Sequence, residues 1–558
     1  MLRLAVASPN RTMLRFWRGG SWQTLSCRQF ALQVASLAAS LRTRGVAPGD
    51  RVLIVMENRP EFLVADMAIM SIGAITVPAY VTNTVEDHRF LLQDSGARAA
   101  LVSNAKLAGI LNEAAQPSAL ELLVSIEDVP EGPALSWQSL VQGEGDLPML
   151  VAEVEQIPAG RLACIIYTSG TGGPPKGVML PHRAMLANRH GITELVRRLH
   201  LPADARYLSF LPLSHAYEHT VAYLLSSFGL EIVFSRGAER LAAELIELRP
   251  HVLTAVPRLF EVLRGKILAG LETASGLQKK LFWRTIELGL KRLDGHRLTL
   301  TERLQDRLLD RIVRQRIRAR FGGQIAALVS GGARLDPGLS GFFLALGLPV
   351  LQGYGQTEAG PVVSVNLPWN NDRRSVGPPL PGVSIRIAED GEVLVRGDLT
   401  MVGYWNNPEA TSQTLREDPA GGAPWLHTGD VGMMKDGRLH ITDRKRDFIK
   451  TLGGEMVSPA RIEALLMAET EIVHAVVAGE GQPHLVALIV PASDAQDRDG
   501  IAAAVARVNK TLPTTHRVRQ FALVPAFTQE TGELTPTQKV KRRIVLQRHQ
   551  EAVLHMYR

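Results

Sequence analysis

Tyr167-Thr168-Ser169-Gly170-Thr171-Gly172-Gly173-Pro174-Pro175-Lys176-Gly177 is the stretch on which the reading of this chain turns. It follows Leu162-Ala163-Cys164-Ile165-Ile166, an unbroken apolar run of the kind a parallel strand shows when both its faces are covered. Beyond it a helical pattern is expected from near Pro181. Glycines let a backbone turn its N–H groups inward around an anion. Hydroxyls add donors, and a lysine adds a positive point charge. The stretch therefore reads as a polyphosphate-binding loop. In P-loop NTPases the lysine stands between Gly and Ser/Thr, whereas Lys176 stands between Pro175 and Gly177.

Strands and helices alternate on both sides of this loop. Upstream, helices are expected over Cys27–Arg44 and Pro60–Ile72, and strands over Arg51–Met56, Ala74–Val77 and Ala99–Val102. The polar stretch Asp146–Gly160 reads as an irregular linker into the loop. Downstream, strands are expected over Tyr207–Leu211, Glu231–Phe234, Val252–Val256, Ile325–Val329 and Pro349–Leu351. This rhythm predicts an α/β fold with doubly wound, mostly parallel sheets, which bind ligands beyond the carboxyl ends of their strands. From Ser375 short strands with Asp390-Gly391 and Asp436-Gly437 turns predict an antiparallel β subdomain over about 375–443. The charged run Asp443-Arg444-Lys445-Arg446-Asp447 reads as an exposed linker, followed by a compact α+β pattern. Its strands are expected over Val473–Ala478 and Leu485–Val490 and its helix over Ile501–Leu512. The expected division is a large domain over 1–443, a hinge at 444–446 and a small mobile domain over 447–558.

A chain of 558 residues exceeds one ordinary core, and 46% hydrophobic with 21% charged residues is globular composition. The net charge of +7 suits an anionic partner such as ATP, CoA or an anionic membrane surface. No compact nucleic-acid motif accompanies it, so nucleic acid is not expected as a partner. Cys27 and Cys164 show no metal-ligand spacing, and Cys164, in the expected buried strand, reads as a reduced, structural thiol. Met1–Trp22 lacks a signal peptide's apolar core, and Met67–Val85 and Pro337–Gly355 are too interrupted to span a bilayer. The expected compartment is the cytosol. Contact with the inner face of the membrane is an alternative raised by the long basic helical region between Glu261 and Arg320. There Leu304, Leu308, Leu309, Ile312 and Val313 form an apolar stripe among Arg303, Arg307, Arg311, Arg314 and Arg318. Such a helix either packs on the domain with a solvated face or lies in a membrane surface. The sequence does not set the oligomeric state.

Further motifs occur in order along the chain: Leu211-Pro212-Leu213-Ser214-His215-Ala216-Tyr217-Glu218, Ser330-Gly331-Gly332-Ala333, Gln352-Gly353-Tyr354-Gly355-Gln356-Thr357-Glu358, Trp425-Leu426-His427-Thr428-Gly429-Asp430 and Leu534-Thr535-Pro536-Thr537-Gln538-Lys539. Together with the phosphate loop, this set resembles the adenylate-forming enzymes, which include acyl-CoA synthetases, adenylation domains and beetle luciferases. Glu57-Asn58-Arg59-Pro60, Val77-Pro78-Ala79-Tyr80 and Val376-Gly377-Pro378-Pro379 look like the long-chain fatty acyl-CoA synthetases in particular.

The resemblance implies ATP-dependent activation of a fatty acid to acyl-CoA through an acyl-adenylate. Its partners would be small molecules (fatty acid, ATP and CoA), with Mg2+ as the ion. It implies that Thr168, Ser169, Gly170, Thr171, Gly173 and Lys176 hold the phosphates, and that Gly332 and Tyr354 flank the adenine. Gln352 and Gly353 would read the base, Thr357 the α-phosphate, and Glu358 with Thr168 the Mg2+. Asp430 would accept from the ribose hydroxyls and Arg444 would donate to ribose or phosphate. His215 would line the acyl carboxylate site, and Lys539 would be the adenylation lysine. Lys450, Gly453 and Gly454 would face CoA after the small domain turns. The family usually has Ser or Thr at Gly172, Gly at Gln538, and Lys or Asp at Arg446. Two related readings stay open: a fatty acyl-AMP ligase that serves a carrier protein, and a CoA ligase for another hydrophobic acid.

Overall fold

The apolar run before the loop forms strand Leu162–Thr168, third in an eight-stranded sheet. The order is Gly403–Tyr404, Lys176–Pro181, Leu162–Thr168, Ile75–Ala79, Arg51–Val55, Ala99–Val102, Leu122–Ser125 and Leu135–Ser136. The strands from Leu162–Thr168 onward run parallel, and the first two are antiparallel additions. Both faces are covered: Val52 and Ile54 enter one hydrophobic core while Leu53 and Val55 enter another. That double burial explains why these strands read as continuous apolar runs. This computed structural model describes residues 1–116, 120–129, 134–143, 145–168, 174–445, 448–453, 455–492, 498–535 and 538–557.

A second eight-stranded sheet has the order Ser364–Val365, Val350–Tyr354, Ala327–Ser330, Val252–Ala255, Arg206–Ser209, Glu231–Phe234, Thr12–Arg18 and Ser21–Ser26. Its inner six strands are parallel and its two edges antiparallel. The two sheets meet through helices Pro60–Ser71 and Ala216–Ser227, which contribute to one shared core. At that junction the fully buried Asp66 carboxylate meets His219 Nε2 at 2.7 Å and accepts from the Tyr223 hydroxyl. An ion-pair or hydrogen-bonded partner is what permits a carboxylate at full burial.

The third layer is a five-stranded antiparallel sheet, Ser384–Ile387, Glu392–Arg396, Trp425–Lys435 and Leu415–Arg416, with Arg438–Arg444 paired to Trp425–Lys435. The C-terminal region has its own core around strands Ile472–Ala478, Leu485–Pro491 and Val518–Leu523 and helix Arg498–Lys510. The architecture is thus α/β with two mostly parallel sheets, an antiparallel β layer and a C-terminal α+β region.

Three expectations need correction, and one element was not expected. The phosphate loop does not lead straight into a helix: strand Lys176–Pro181 intervenes, and helix His182–Arg198 starts after it. The expected linker contains helix Leu147–Val154, whose first turn is capped by Asp146 accepting from Met149 N–H. An N-terminal hairpin, Thr12–Arg18 with Ser21–Ser26, was hidden by polar residues on its exposed face. Finally, Arg314 does not flank a solvated stripe. A π-helical turn over Asp310–Arg314 carries it inward, where it is 2% exposed and bonds Asp306, Ala345 O and Thr285 O. One extra residue per turn rotates all that follows, so a regular helical wheel misplaces it. Among the described residues no helix is long and apolar enough to cross a membrane.

Candidate active site

Strands Leu162–Thr168, Ala327–Ser330 and Val350–Tyr354 end at a common cleft, and each delivers one of the sequence motifs there. Thr168 and Lys176 sit opposite each other in register at the mouth of the phosphate loop. Ser169, Gly170, Thr171 and Gly173, like Gly172, lie outside the described residues. Lys176 Nζ stands 5.0 Å over the ring of Tyr404. The Tyr404 hydroxyl donates to Glu358 Oε1 at 2.8 Å. One tyrosine therefore ties the loop's lysine to the predicted metal carboxylate. The sequence reading missed it because its partners lie far away in the chain. Its strand, Gly403–Tyr404, pairs with Lys176–Pro181, and a two-residue edge strand carries no periodic signal.

Glu358 lies in a short 3-10 turn, Thr357–Ala359, directly after strand Val350–Tyr354, and Thr357 is buried in the same turn. The chain folds back tightly here. A Cβ on Gly355 would lie 1.6 Å from Pro361 O, so only glycine fits. Gln352 is buried and its carbonyl accepts from Asn366 N–H at 2.9 Å, and Gly353 pairs with Val365 across the sheet edge.

On the opposite wall, the Tyr354 hydroxyl donates to Asp430 Oδ2 at 2.6 Å, and Arg444 Nε donates to Asp430 Oδ1 at 3.1 Å. Asp430 and Arg444 are cross-strand partners in the antiparallel layer, which fixes their approach. Burial and the Asp430 charge push the Tyr354 phenol well above its ordinary range, so it stays a donor. Lys445, next in the chain, bonds Glu392 at 3.0 Å and Asp390, and its N–H donates to Gly429 O at 2.8 Å. This anchor at the edge of the expected hinge was not visible in the sequence. Arg446 lies outside the described residues.

Lys539 arrives from the C-terminal region. A Cβ on Gly332 would sit 3.6 Å from Lys539 Nζ, and Gly332 holds φ +77°. Burial, with the Arg444 charge adding, lowers the Lys539 amine to about 8, and Asp430 opposes the fall. His215 is also close enough to feel that lysine. Its imidazole is lowered to about 3, mainly by burial and further by Lys539. His215 caps helix Ala216–Ser227, its Nδ1 accepting from Tyr217 N–H at 3.2 Å. The ring is therefore neutral with its proton on Nε2, which leaves that nitrogen as a donor. Beneath it Glu218, fully buried, accepts from Tyr207, Ser209 and Thr254, and burial raises its carboxyl to about 7. These bonds fasten the helix that carries His215 to two strands of the second sheet.

The loop bearing Lys539 is closed by Thr535 N–H to Lys539 O at 2.8 Å and Lys539 N–H to Thr535 Oγ1 at 2.9 Å. Gln538 sits at φ +62°, the left-handed region in which glycine is at ease. Lys450 and Gly453 are not in the cleft cluster. They are exposed on the small hairpin Ile449–Lys450/Met456–Val457, where Lys450 N–H donates to Glu480 at 2.9 Å. Gly454 lies outside the described residues.

The cleft thus joins a cation-bearing loop, a carboxylate, a buried aspartate with a tyrosine and arginine, and a buried lysine. Residues 3–405 match the family model of the AMP-binding enzymes and residues 446–558 that of the AMP-binding enzyme C-terminal domain. The chain belongs to the AMP-binding enzyme family. It is 33% identical to the long-chain-fatty-acid–CoA ligase FadD15 of Mycobacterium bovis, across 96% of this chain and 93% of that one. It is 28% identical to the peroxisomal long chain acyl-CoA synthetase 6 of Arabidopsis thaliana, across 97% and 82%. Among solved structures, the anthranilate CoA ligase AuaEII in complex with anthranoyl-AMP matches with TM-score 0.76 at 21% identity, across 99% of this chain and 96% of that one. ATP-bound MatB from Rhodopseudomonas palustris matches with TM-score 0.74 at 22% identity, across 98% and 97%. These likenesses establish the fold.

Proposed function

We propose that this protein activates long-chain fatty acids with ATP and transfers them to CoA, releasing AMP and pyrophosphate. The observation that carries this reading is the insertion of Lys539 against Gly332, within reach of the charges of Asp430 and Arg444 and near the neutral His215 ring. A carboxylate is a poor electrophile because loss of oxide is prohibitive. In the first half-reaction a carboxylate oxygen attacks the ATP α-phosphorus, the bond to the β-phosphate bridging oxygen breaks, and pyrophosphate leaves. In the second, CoA thiolate attacks the acyl carbonyl and AMP leaves.

In this assignment Asp430 and Arg444 orient the ribose, Tyr354 and Gly332 flank the base, and Gln352 and Gly353 line its edge. Thr357 donates to the α-phosphate, and His215 donates from Nε2 to the acid. Lys539 and Lys176 offset the charge growing on the transferred and departing phosphates, which is electrostatic catalysis by preplaced groups. Glu358 and the Thr168 hydroxyl suit Mg2+, a hard ion that takes few protein oxygens and keeps phosphate and water ligands. Bound there, Mg2+ would neutralise phosphate charge. Residues 444–446 then act as the hinge between a large domain and a small one, and a turn about it withdraws Lys539 and presents Lys450, Gly453 and Gly454 to CoA. The use of ATP and CoA supports a cytosolic setting.

The test is fatty-acid-dependent pyrophosphate release with Mg2+ and ATP, followed by thioester formation on adding CoA. No pyrophosphate with any long-chain acid sinks the reading. Acyl-AMP that accumulates without thioester moves the acceptor from CoA to a carrier protein.

A further inference from the structure

Helix Leu300–Leu309 carries Leu300, Leu304 and Leu308, which are 78%, 66% and 57% exposed. At 100° per residue these three and Arg307 fall in an arc of roughly 100°. Glu302, Asp306 and Leu309 occupy the opposite side, where Glu302 bonds Lys291 at 2.7 Å and Asp306 bonds Arg314 at 2.7 Å. Asp310 is taken by two 2.9 Å bonds from Arg318. Each of these acids is thus already paired with a cation of the protein, although Asp306 and Asp310 also line the depression beside Leu308. The guanidinium groups of Arg303, Arg307 and Arg311 are exposed and have no acid partner among the described residues. Arg292, Arg307 and Arg311 also line an open depression of about 600 Å³ next to Leu308. The preceding helix, Gly276–Leu293, adds exposed Leu277 and Trp283.

Three leucines in water on one arc are an unfavourable surface for a solvated helix. Unpaired arginines beside them give that surface a sign. We infer that this helix is a docking face for an anionic bilayer: Leu300, Leu304 and Leu308 enter the boundary of the acyl chains, and Arg303, Arg307 and Arg311 meet phosphodiester headgroups. A basic rim around an apolar stripe is the arrangement that lies in a membrane surface without crossing it. The π-helical turn sets the limit of the face, because it carries Arg314 into the protein and ends the outward stripe at Leu308. The face does not depend on the chemistry of the cleft, and its failure would leave the ligase reading untouched.

The experiment is co-sedimentation of the full chain with phosphatidylcholine vesicles, with and without phosphatidylglycerol. The intact protein binds the anionic vesicles and not the neutral ones, and added salt weakens binding. Arg307→Glu with Arg311→Glu lowers affinity about thirty-fold or more, since each cation at such a surface is worth about five-fold in affinity. Leu304→Ser with Leu308→Ser lowers it comparably but leaves the preference for anionic lipid. Pyrophosphate release on a detergent-dispersed long-chain fatty acid, with no vesicles present, stays unchanged in both variants, which reports an intact fold. The milder Arg307→Gln replaces the reversal if that variant is unstable. Equal binding to neutral and anionic vesicles, or variants that bind as the intact protein does, overturns the inference. Full displacement by inorganic phosphate overturns it too, and would make the depression a site for free anions.

Discussion

The two walls of the cleft are built differently. The ribose wall is made of side chains locked to one another: Tyr354 of the second sheet to Asp430 of the antiparallel layer, Asp430 to Arg444 across paired strands, and Lys445 to Glu392. The lysine wall is a loop closed locally through Thr535, which bonds Gln538 once and Lys539 twice, with Gln538 in a conformation that costs a non-glycine residue energy. One wall keeps its shape by cross-strand redundancy, while the other is locally closed and contributes its cation by insertion. A group required in only one half-reaction is well served by the second arrangement.

The sharpest way to break the comparison is Lys539→Ala. It should slow acyl-adenylate formation by about 10²–10³-fold, the scale of losing one preplaced charge-stabilising donor. Thioester formation from supplied acyl-AMP should be nearly unaffected. Equal loss in both half-reactions would show that the lysine wall is as permanent as the ribose wall. The next largest effect is in pH. Folding lowers the Lys539 amine to about 8, so its charge is present below that value and lost above it. kcat/KM for ATP should fall about ten-fold per pH unit on the alkaline side, as expected for one required proton on the free enzyme. Lys539→Arg should remove that limb, because arginine stays charged.

Tyr404→Phe separates the metal side from the phosphate side. It keeps the ring under Lys176 and deletes the hydroxyl on Glu358. The Mg2+ concentration for half-maximal ATP binding, read by calorimetry, should rise about ten-fold or more, the worth of one hydrogen bond to a charged group. Tyr404→Leu should add a loss of ATP affinity at saturating Mg2+. The smallest effect is Gln538→Gly. Relief of the left-handed residue should raise stability by about 1 kcal/mol, seen as a higher thermal midpoint, with adenylation intact.

Much of this was legible in the sequence. Strands buried on both faces announce themselves as apolar runs, and Arg51–Val55 and Glu231–Phe234 fall where the pattern puts them. The motif residues Thr168, Gly332, Tyr354 and Lys539 are each positioned by a strand end or a turn that their own neighbours signal, while Asp430 lies mid-strand. What was not legible depends on distant pairing. Tyr404 matters through Glu358 and Lys176, Lys445 through Glu392, and neither strand Lys176–Pro181 nor the turn that buries Arg314 follows from local periodicity. Helix Leu147–Val154 was passed over because a proline at its start and flanking polar residues imitate a linker.

Gly355 constrains what can be varied around the nucleotide. With Pro361 O occupying the place of any β-carbon, the codon at this position has one admissible meaning, whatever acid the protein comes to accept. A mutagenesis library meant to alter the nucleotide preference should therefore hold Gly355 constant and spend its diversity on the flanking positions, where a new side chain has somewhere to go.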